Sequence, residues 1–151
     1  MIRLATPTDA PALAIMLDDF NKEFGDSSPG VDFLNNRIST LLQKPEFFIV
    51  VPNEHLVAFG LVTLRPNVWS PGLIAVLDEL YTKPEHRNQG FGSEILKGAI
   101  TEANRRGATD FAIEVDESDT NAHRFYARHS FPLKNPEYAY ILWRDISDKP
   151  T

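Results

Sequence analysis

The segment Arg87-Asn-Gln-Gly-Phe-Gly92 constrains the fold of this chain more than any other feature, because of what stands on either side of it. A mostly apolar stretch, 73–82, precedes the segment, and an amphipathic helical pattern begins at Phe91 and ends near Gly107. An apolar stretch at 111–115 indicates the next strand. Strand, loop, helix and strand in this order predict a parallel crossover unit, whose first loop is where such sheets bind ligands.

The remaining periodicity predicts a mixed α/β fold. The predicted elements outside the crossover unit are a strand at 2–6, a helix reaching Phe20, a helix at 31–43, a hairpin of 47–51 and 56–64, a helix at 120–129 and a last strand at 138–144. The length of 151 residues and the absence of repeats fit one domain with a substantial core. We therefore expect a single domain over residues 1–151.

Composition excludes several classes of function. The chain has no cysteine, which removes disulfides, thiolate nucleophiles and thiolate metal sites. Its net charge of -6 argues against a nucleic-acid partner, because phosphate backbones select for clustered Lys and Arg. His55, His86, His123 and His129 show no metal-ligand spacing with acids, so no metal is predicted.

Hydropathy argues against a membrane partner. No apolar stretch approaches the roughly 20 residues that a membrane span needs. The residues at the start, Met1-Ile-Arg-Leu-Ala-Thr, lack the apolar run of a signal peptide. The expected location is the cytoplasm.

The glycine segment has the character of an anion site. Gly90 and Gly92 permit positive backbone dihedrals and close approach of a ligand to the main chain. Its amides and the start of the following helix suit a pyrophosphate, with Arg87 and Lys83 as counter-charges. Taken alone, the glycines have an alternative explanation, which is a tight turn entering a helix. The segment lacks the third glycine of a dinucleotide motif and the Lys-Ser/Thr ending of a nucleoside-triphosphate loop.

Three ordered motifs resemble one family. Arg-x-x-Gly-x-Gly follows a strand that ends Leu-Tyr-Thr-x-Pro, the chain opens with Ile-Arg-Leu-Ala-Thr-x-x-Asp-Ala, and Ala122-His-Arg-Phe-Tyr-Ala-Arg-His-Ser-Phe131 comes later. Together they resemble the GNAT superfamily of N-acetyltransferases. The resemblance implies a mixed, centrally splayed sheet flanked by helices on both faces. It also implies acetyl-CoA as acyl donor and an amine as acceptor, and homodimers are common in this superfamily.

The same resemblance implies where acetyl-CoA binds. Pantetheine would lie as a pseudo-strand between 73–82 and 111–116, with an amide near Leu80 polarising the acetyl carbonyl. The residues expected to contact the cofactor through their backbone are Leu80, Tyr81 and Thr82 for pantetheine, and Arg87, Asn88, Gln89, Gly90, Phe91, Gly92 and Ser93 for the pyrophosphate.

Proton transfer would need an acid and a base. The resemblance assigns Tyr126 as the donor to the departing thiolate, and a phenol of pKa near 10 can serve such a group. An ammonium acceptor must lose a proton before attack, and Glu79 is the preferred base, with Glu114 second and Asp78 a third possibility. Each acid has an alternative, purely structural role in pairing with Arg or Lys. Tyr126 has one as a core residue.

Two positions depart from the family pattern. Asp119 stands where an asparagine is common; it can cap the helix but cannot donate an amide hydrogen bond to pantetheine, for which Asn121 is a substitute. Ser130 stands where a glycine is common, which puts the local turn geometry in question.

The acceptor is expected in the loops, here Phe20 to Phe33 and Arg65 to Gly72. The first of these and the end of its helix contain Asp18, Asp19, Glu23 and Asp26, which favour a cationic small molecule such as a polyamine, a diamino acid or an aminoglycoside. A peptide amine is the second possibility. A catalytically silent acyl-CoA-binding module is the competing class of function.

Overall fold

A computed structural model describes residues 1–131 together with 142, 144, 146 and 147. The chain divides into two compact units, 1–114 and 115–151. The predicted last strand at 138–144 lies almost wholly outside the described residues. The expectation of a single domain stays a prediction.

The first unit is built on a mixed sheet. Its strands in the described residues are β1 (Ile2–Leu4), β2 (Phe47–Pro52), β3 (Ala58–Pro66), β4 (Leu73–Thr82) and β5 (Ala108–Ile113). They lie in the order in which they occur along the chain, and neighbours are antiparallel as far as β4. β4 and β5 are parallel, which confirms the predicted crossover.

Helices cover both faces of this sheet. Three belong to the first unit: α1 (Ala10–Glu23), α2 (Val31–Leu41) and α3 (Phe91–Arg105). α1 and α2 pack on one face together with Phe47, Ile49 and Val51 of β2. Because strand side chains alternate, Phe48 and Val50 point to the opposite face, which α3 covers. The predicted α/β fold with helices on both faces is confirmed.

Glycines let α3 lie close to the sheet. A Cβ atom on Gly98 of α3 would overlap the side chain of Ile2, and one on Gly60 of β3 would stand 2.6 Å from Ile95. Both would lie far inside van der Waals contact, so a larger residue at either position would displace these side chains or the helix. This close packing fixes the start of α3, and with it the glycine segment, relative to the sheet.

The start of β5 differs from its prediction by three residues. The pattern predicts a strand at 111–115, whereas β5 spans Ala108–Ile113. Its pairing with β4 begins at Leu73 with Ala108, directly after the turn at Gly107, whose φ is 96°. Asp110 belongs to the strand because its pairing with Ile74 outweighs its weak strand preference, and Thr109 lies at the register shift between the pairs of Leu73 and Ile74.

The second unit contains α4 (Thr120–Arg128). Asp119 accepts a hydrogen bond from the amide of Ala122 at 2.9 Å, so the predicted cap is confirmed. At the other end Phe131 N–H donates to the Tyr126 carbonyl and Ser130 N–H to the Ala127 carbonyl, the two bonds of a Schellman motif. Ser130 closes this motif with a φ of 68°, a conformation that favours glycine.

None of the helices described is long and apolar enough to cross a membrane.

Replacing Ser130 by glycine is expected to stabilise the second unit. The left-handed conformation strains a residue that has a Cβ atom, so Ser130→Gly should raise the free energy of unfolding by about 0.5–1 kcal/mol after the entropy of glycine is counted. Thermal unfolding followed by circular dichroism measures the change. Ser39→Gly inside α2 is the matched control and should lower stability by about 0.5–1 kcal/mol. A loss of stability in Ser130→Gly would contradict the prediction.

Candidate active site

The site begins where β4 and β5 part. Pairing between these strands ends at Leu77 with Ile113, whereas β4 continues beside β3 as far as Thr82 with Ala58. From Asp78 onward, the edge of β4 that faced β5 has no strand partner among the described residues. The splayed sheet implied by the sequence motifs is therefore present.

The direction of the backbone groups along this open edge follows from one hydrogen bond. Lys83 N–H donates to the Val57 carbonyl at 2.9 Å, so at residue 83 the amide points toward β3. Directions alternate along a strand, so the backbone groups of Leu80 and Thr82 point away from β3. Leu80 thus presents an amide N–H at the opening, while the Thr82 carbonyl accepts a hydrogen bond from Arg87 Nε at 3.0 Å.

A β-bulge at Asp78 decides which way the following side chains point. Leu61 pairs with Glu79 and Val62 with Leu77, which leaves Asp78 as the extra residue. Leu77 and Leu80 consequently reach the same face, and each would stand 3.7 Å from a Cβ atom on Gly60. Glu79 is turned to the other face, that of α1 and α2.

Tyr81 lies on this same face and forms the floor beside Glu79. Its ring is buried and packs against Phe20 of α1 and Phe59 of β3, with centroid distances of 5.2 and 6.0 Å. Burial is the main cause that raises the pKa of Tyr81, and the nearby carboxylate of Glu23 adds to it. A protonated phenol thus stands next to the carboxyl group.

Glu79 has the electrostatic character of a base that works near neutrality. Its pKa is raised to about 7, and the main cause is the half-burial that removes the side chain from water. The negative charges of Asp78 and of Asp26, in the loop between α1 and α2, contribute to the same rise. A carboxylate of this pKa takes up a proton far more readily than an ordinary glutamate.

Asp78 and Glu114 are neighbours at the point where the strands separate. The Asp78 carboxylate accepts a hydrogen bond from the Thr63 hydroxyl at 2.8 Å. The surrounding protein partly desolvates Asp78 and raises its pKa, against the effect of this bond, and the charge of Glu114 raises it further. Glu114 itself is exposed directly after β5. The three candidate acids therefore surround the opening, with Glu79 facing α1 and α2.

The glycine segment closes the end of β4 and begins α3. A short 3-10 turn at Pro84–His86 precedes it, and positive φ angles occur at Asn88 (60°) and Gly90 (90°). Gly90 is the N-cap of α3, and no side chain caps the helix. The first backbone bond runs from Glu94 N–H to the Gly90 carbonyl at 3.1 Å, so the amides of Phe91 and Gly92 have no acceptor within the helix. This helix start suits an anion.

Gly92 is not needed for the turn. It lies in the first turn of α3 and does not have a positive φ, unlike Gly90. Glycine at this position adds no Cβ atom beside the amides at the helix start, which is compatible with the anion-site explanation.

Arg87 has protein partners that the sequence does not indicate. One terminal nitrogen of its guanidinium lies 2.6 Å and 2.8 Å from the two carboxylate oxygens of Glu23, the last residue of α1. Its Cζ atom lies 5.8 Å from the centroid of the Tyr81 ring. Glu23 and Arg87 are 64 positions apart, and no local pattern could have linked them.

The remaining candidates belong to the second unit. Asp119, Asn121 and Tyr126 all lie on α4 or at its cap. The rings of Tyr126 and Phe125 meet edge to face at 5.1 Å. The structure therefore brings Glu79, Glu114, Leu80–Thr82 and the glycine segment together in the first unit, and places the other three on one short helix.

Comparison with known proteins identifies the family. The model of the acetyltransferase (GNAT) family matches residues 12–131. A crystal structure of a protein from Arthrobacter sp. FB24, assigned as an acetyltransferase, superimposes with a TM-score of 0.85 at 38% identity, covering 97% of this chain and 96% of that one.

Two curated relatives are also similar. The uncharacterized N-acetyltransferase YhfO of Bacillus subtilis is 25% identical over 86% of this chain and 88% of its own length. The thialysine N-epsilon-acetyltransferase of Sus scrofa is 32% identical over 71 residues, which is 47% of this chain and 41% of that protein. The open strand edge, the uncapped helix start and these similarities together lead to one conclusion: the chain belongs to the GNAT family of acetyltransferases and is an acyltransferase.

Proposed function

We propose that this protein is an acetyl-CoA-dependent N-acetyltransferase that moves the acetyl group directly to the primary amine of a cationic small molecule. The observation that carries the proposal is the position of Glu79. The bulge turns this half-buried carboxyl to the face of α1 and α2, beside the strand edge that opens next to the glycine segment.

The donor site fits acetyl-CoA in two places. The outward amide of Leu80 is suited to the carbonyl of the thioester, and the edge up to Thr82 offers backbone groups to an extended pantetheine. The helix start at Gly90 to Ser93 is suited to the pyrophosphate. Asp119 and Asn121, at the start of α4, are the further candidates for contact with pantetheine.

In the proposed reaction Glu79 and Tyr126 each transfer one proton. Glu79 as carboxylate accepts a proton from the bound ammonium, and the neutral nitrogen attacks the thioester carbonyl. A new C–N bond forms, the C–S bond breaks, and the thiolate receives a proton from Tyr126. The acylated nitrogen then loses its second proton, which passes through water and reprotonates Tyr126. Glu114 is the alternative base, at the mouth between the strands.

The acceptor class follows from charge. Glu79 lies within electrostatic range of Asp26, and Asp19 influences the neighbouring Tyr81, whereas the charge of Glu23 is shared with Arg87. A cationic amine gains attraction from such a surface, and a second positive charge on the same molecule gains more. A diamino compound is favoured, in keeping with the relative named for thialysine.

The deciding experiment measures release of CoA from acetyl-CoA in the presence of an amine panel containing lysine, thialysine, ornithine and spermidine. We expect at least one dication to raise release well above the rate with acetyl-CoA alone. Nε,Nε-dimethyl-lysine is the matched control, because its tertiary side-chain amine cannot form a stable amide. Tight binding of CoA without turnover of any amine would instead identify a silent binding module.

The rate should depend on the ionisation of Glu79. Since the base must be deprotonated, kcat/KM is expected to rise with pH and to show an inflection at about 7. Glu79→Gln should remove this inflection and lower kcat by roughly 10²–10⁴-fold, leaving any rise at the pKa of the amine. Glu114→Gln is the matched control and should retain the inflection. If Glu114→Gln loses it and Glu79→Gln keeps it, Glu114 is the base.

Glu79 should also make stability depend on pH. Its pKa is about 7 in the folded state against 4.5 as the ordinary value, so the folded state binds the proton more tightly. The stability from this preference is complete below about pH 4.5 and is lost as the pH rises through 7.

Glu79→Gln should therefore be more stable than the wild type at pH 8, by roughly 1–3 kcal/mol, with a smaller difference at pH 5. Thermal unfolding of the two proteins at both pH values measures this. An equal difference at pH 5 and pH 8 would show that the carboxyl group is not desolvated.

A further inference from the structure

Arg87 connects three parts of the first unit. Its Nε donates to the Thr82 carbonyl at the end of β4, and its Nη2 reaches both carboxylate oxygens of Glu23 at the end of α1. Its guanidinium also lies near the ring of Tyr81. Glu23 also lies close enough to Tyr81 for its charge to raise the pKa of that phenol.

This link is stronger than an ordinary surface ion pair. Such pairs gain little because two long side chains must be ordered in water. Here the side chains are 30% (Glu23) and 41% (Arg87) exposed, and Arg87 is fixed by a further hydrogen bond to β4. A planar guanidinium that is already held at Nε loses less freedom when it binds a carboxylate.

The position of Arg87 makes the link relevant to ligand binding. Arg87 is the first residue of the glycine segment, and the segment then passes through Asn88 and Gly90 with left-handed backbone. Other contacts there are local: Gln89 donates to the Glu85 carbonyl, and the ring of Phe91 meets that of His86. The contact with Glu23 ties the segment to α1 instead.

We propose that Glu23 is a positioning residue that holds Arg87 against the end of β4 and so keeps the glycine segment in its binding conformation before the cofactor arrives. This inference rests on the proposed acetyl-CoA site. Glu23 would thus help to form the proposed donor site, although α1 lies on the proposed acceptor face. Binding of the cofactor to the glycine segment would then affect the end of α1.

The direction in which Glu23→Gln changes the affinity for CoA distinguishes this positioning role from simple electrostatic repulsion. A carboxylate near a pyrophosphate repels it, so removing the charge alone would tighten the binding of CoA. If Glu23 positions Arg87, Glu23→Gln loosens the segment, and the dissociation constant of CoA should rise roughly three- to tenfold. Calorimetric titration with CoA measures the change.

Glu85→Gln is the matched control. Glu85 is exposed in the 3-10 turn of the same loop, and its side chain forms no ion pair with any residue in the described ranges. Its substitution removes the same charge and should leave the affinity for CoA unchanged or higher. Arg87→Lys keeps the charge, but lysine has no planar group that can bind the Thr82 carbonyl and Glu23 together. If Glu23 acts through Arg87, adding Arg87→Lys to Glu23→Gln should therefore cause little further loss of affinity for CoA.

Hydrogen exchange without ligand tests the positioning separately. Amides of residues 83–90 should exchange faster in Glu23→Gln than in the wild type and in Glu85→Gln. Failure of the wild type to bind CoA would contradict the proposed function. The exchange comparison would then be the test of the positioning role of Glu23. Unchanged exchange, or tighter binding of CoA by Glu23→Gln, would overturn it.

Discussion

The parting of β4 from β5 after Leu77 and Ile113 is the constraint on which the site depends. A parallel pair that stayed closed to the end of β4 would use the backbone groups of Leu80 for the sheet itself. Because the pairing stops, one edge of a central strand keeps its hydrogen-bonding capacity for a ligand. The rest of the first unit supports this edge: β3 pairs with its other side, and α3 packs closely through Gly98 and Gly60.

The bulge at Asp78 determines to which face of the sheet the Glu79 side chain points. If Asp78 paired regularly with Leu61, Glu79 would point to the side occupied by α3, where the core is apolar. With the bulge, the carboxyl group faces α1, α2 and the acidic loop between them, where partial burial and neighbouring charge bring its pKa close to 7. One irregular residue therefore decides both the direction and the basicity of the proposed base.

The link between Glu23 and Arg87 adds a constraint of a different kind. The glycine segment and α1 are far apart in sequence, yet the guanidinium of Arg87 joins them at the end of β4. This group would support both of the proposed binding regions. It also explains why an arginine at the start of the segment is useful even while its charge is shared with a carboxylate.

The sequence by itself determined the crossover unit and the glycine segment. The apolar run of β4 and the helical stripe of α3 are local patterns, and their predicted bounds match the structure; the spacing of Gly90 and Gly92 likewise depends only on the chain between them. The predicted start of β5 was wrong by three residues, because Asp110 gains from pairing with Ile74 of β4 what its own strand preference lacks. The face of Glu79, its raised pKa and the partner of Arg87 were decided only by the tertiary structure. Each depends on free energies between segments distant in sequence: the register of β3 against β4, the removal of a carboxyl group from water, and a helix end that meets a loop 64 positions later.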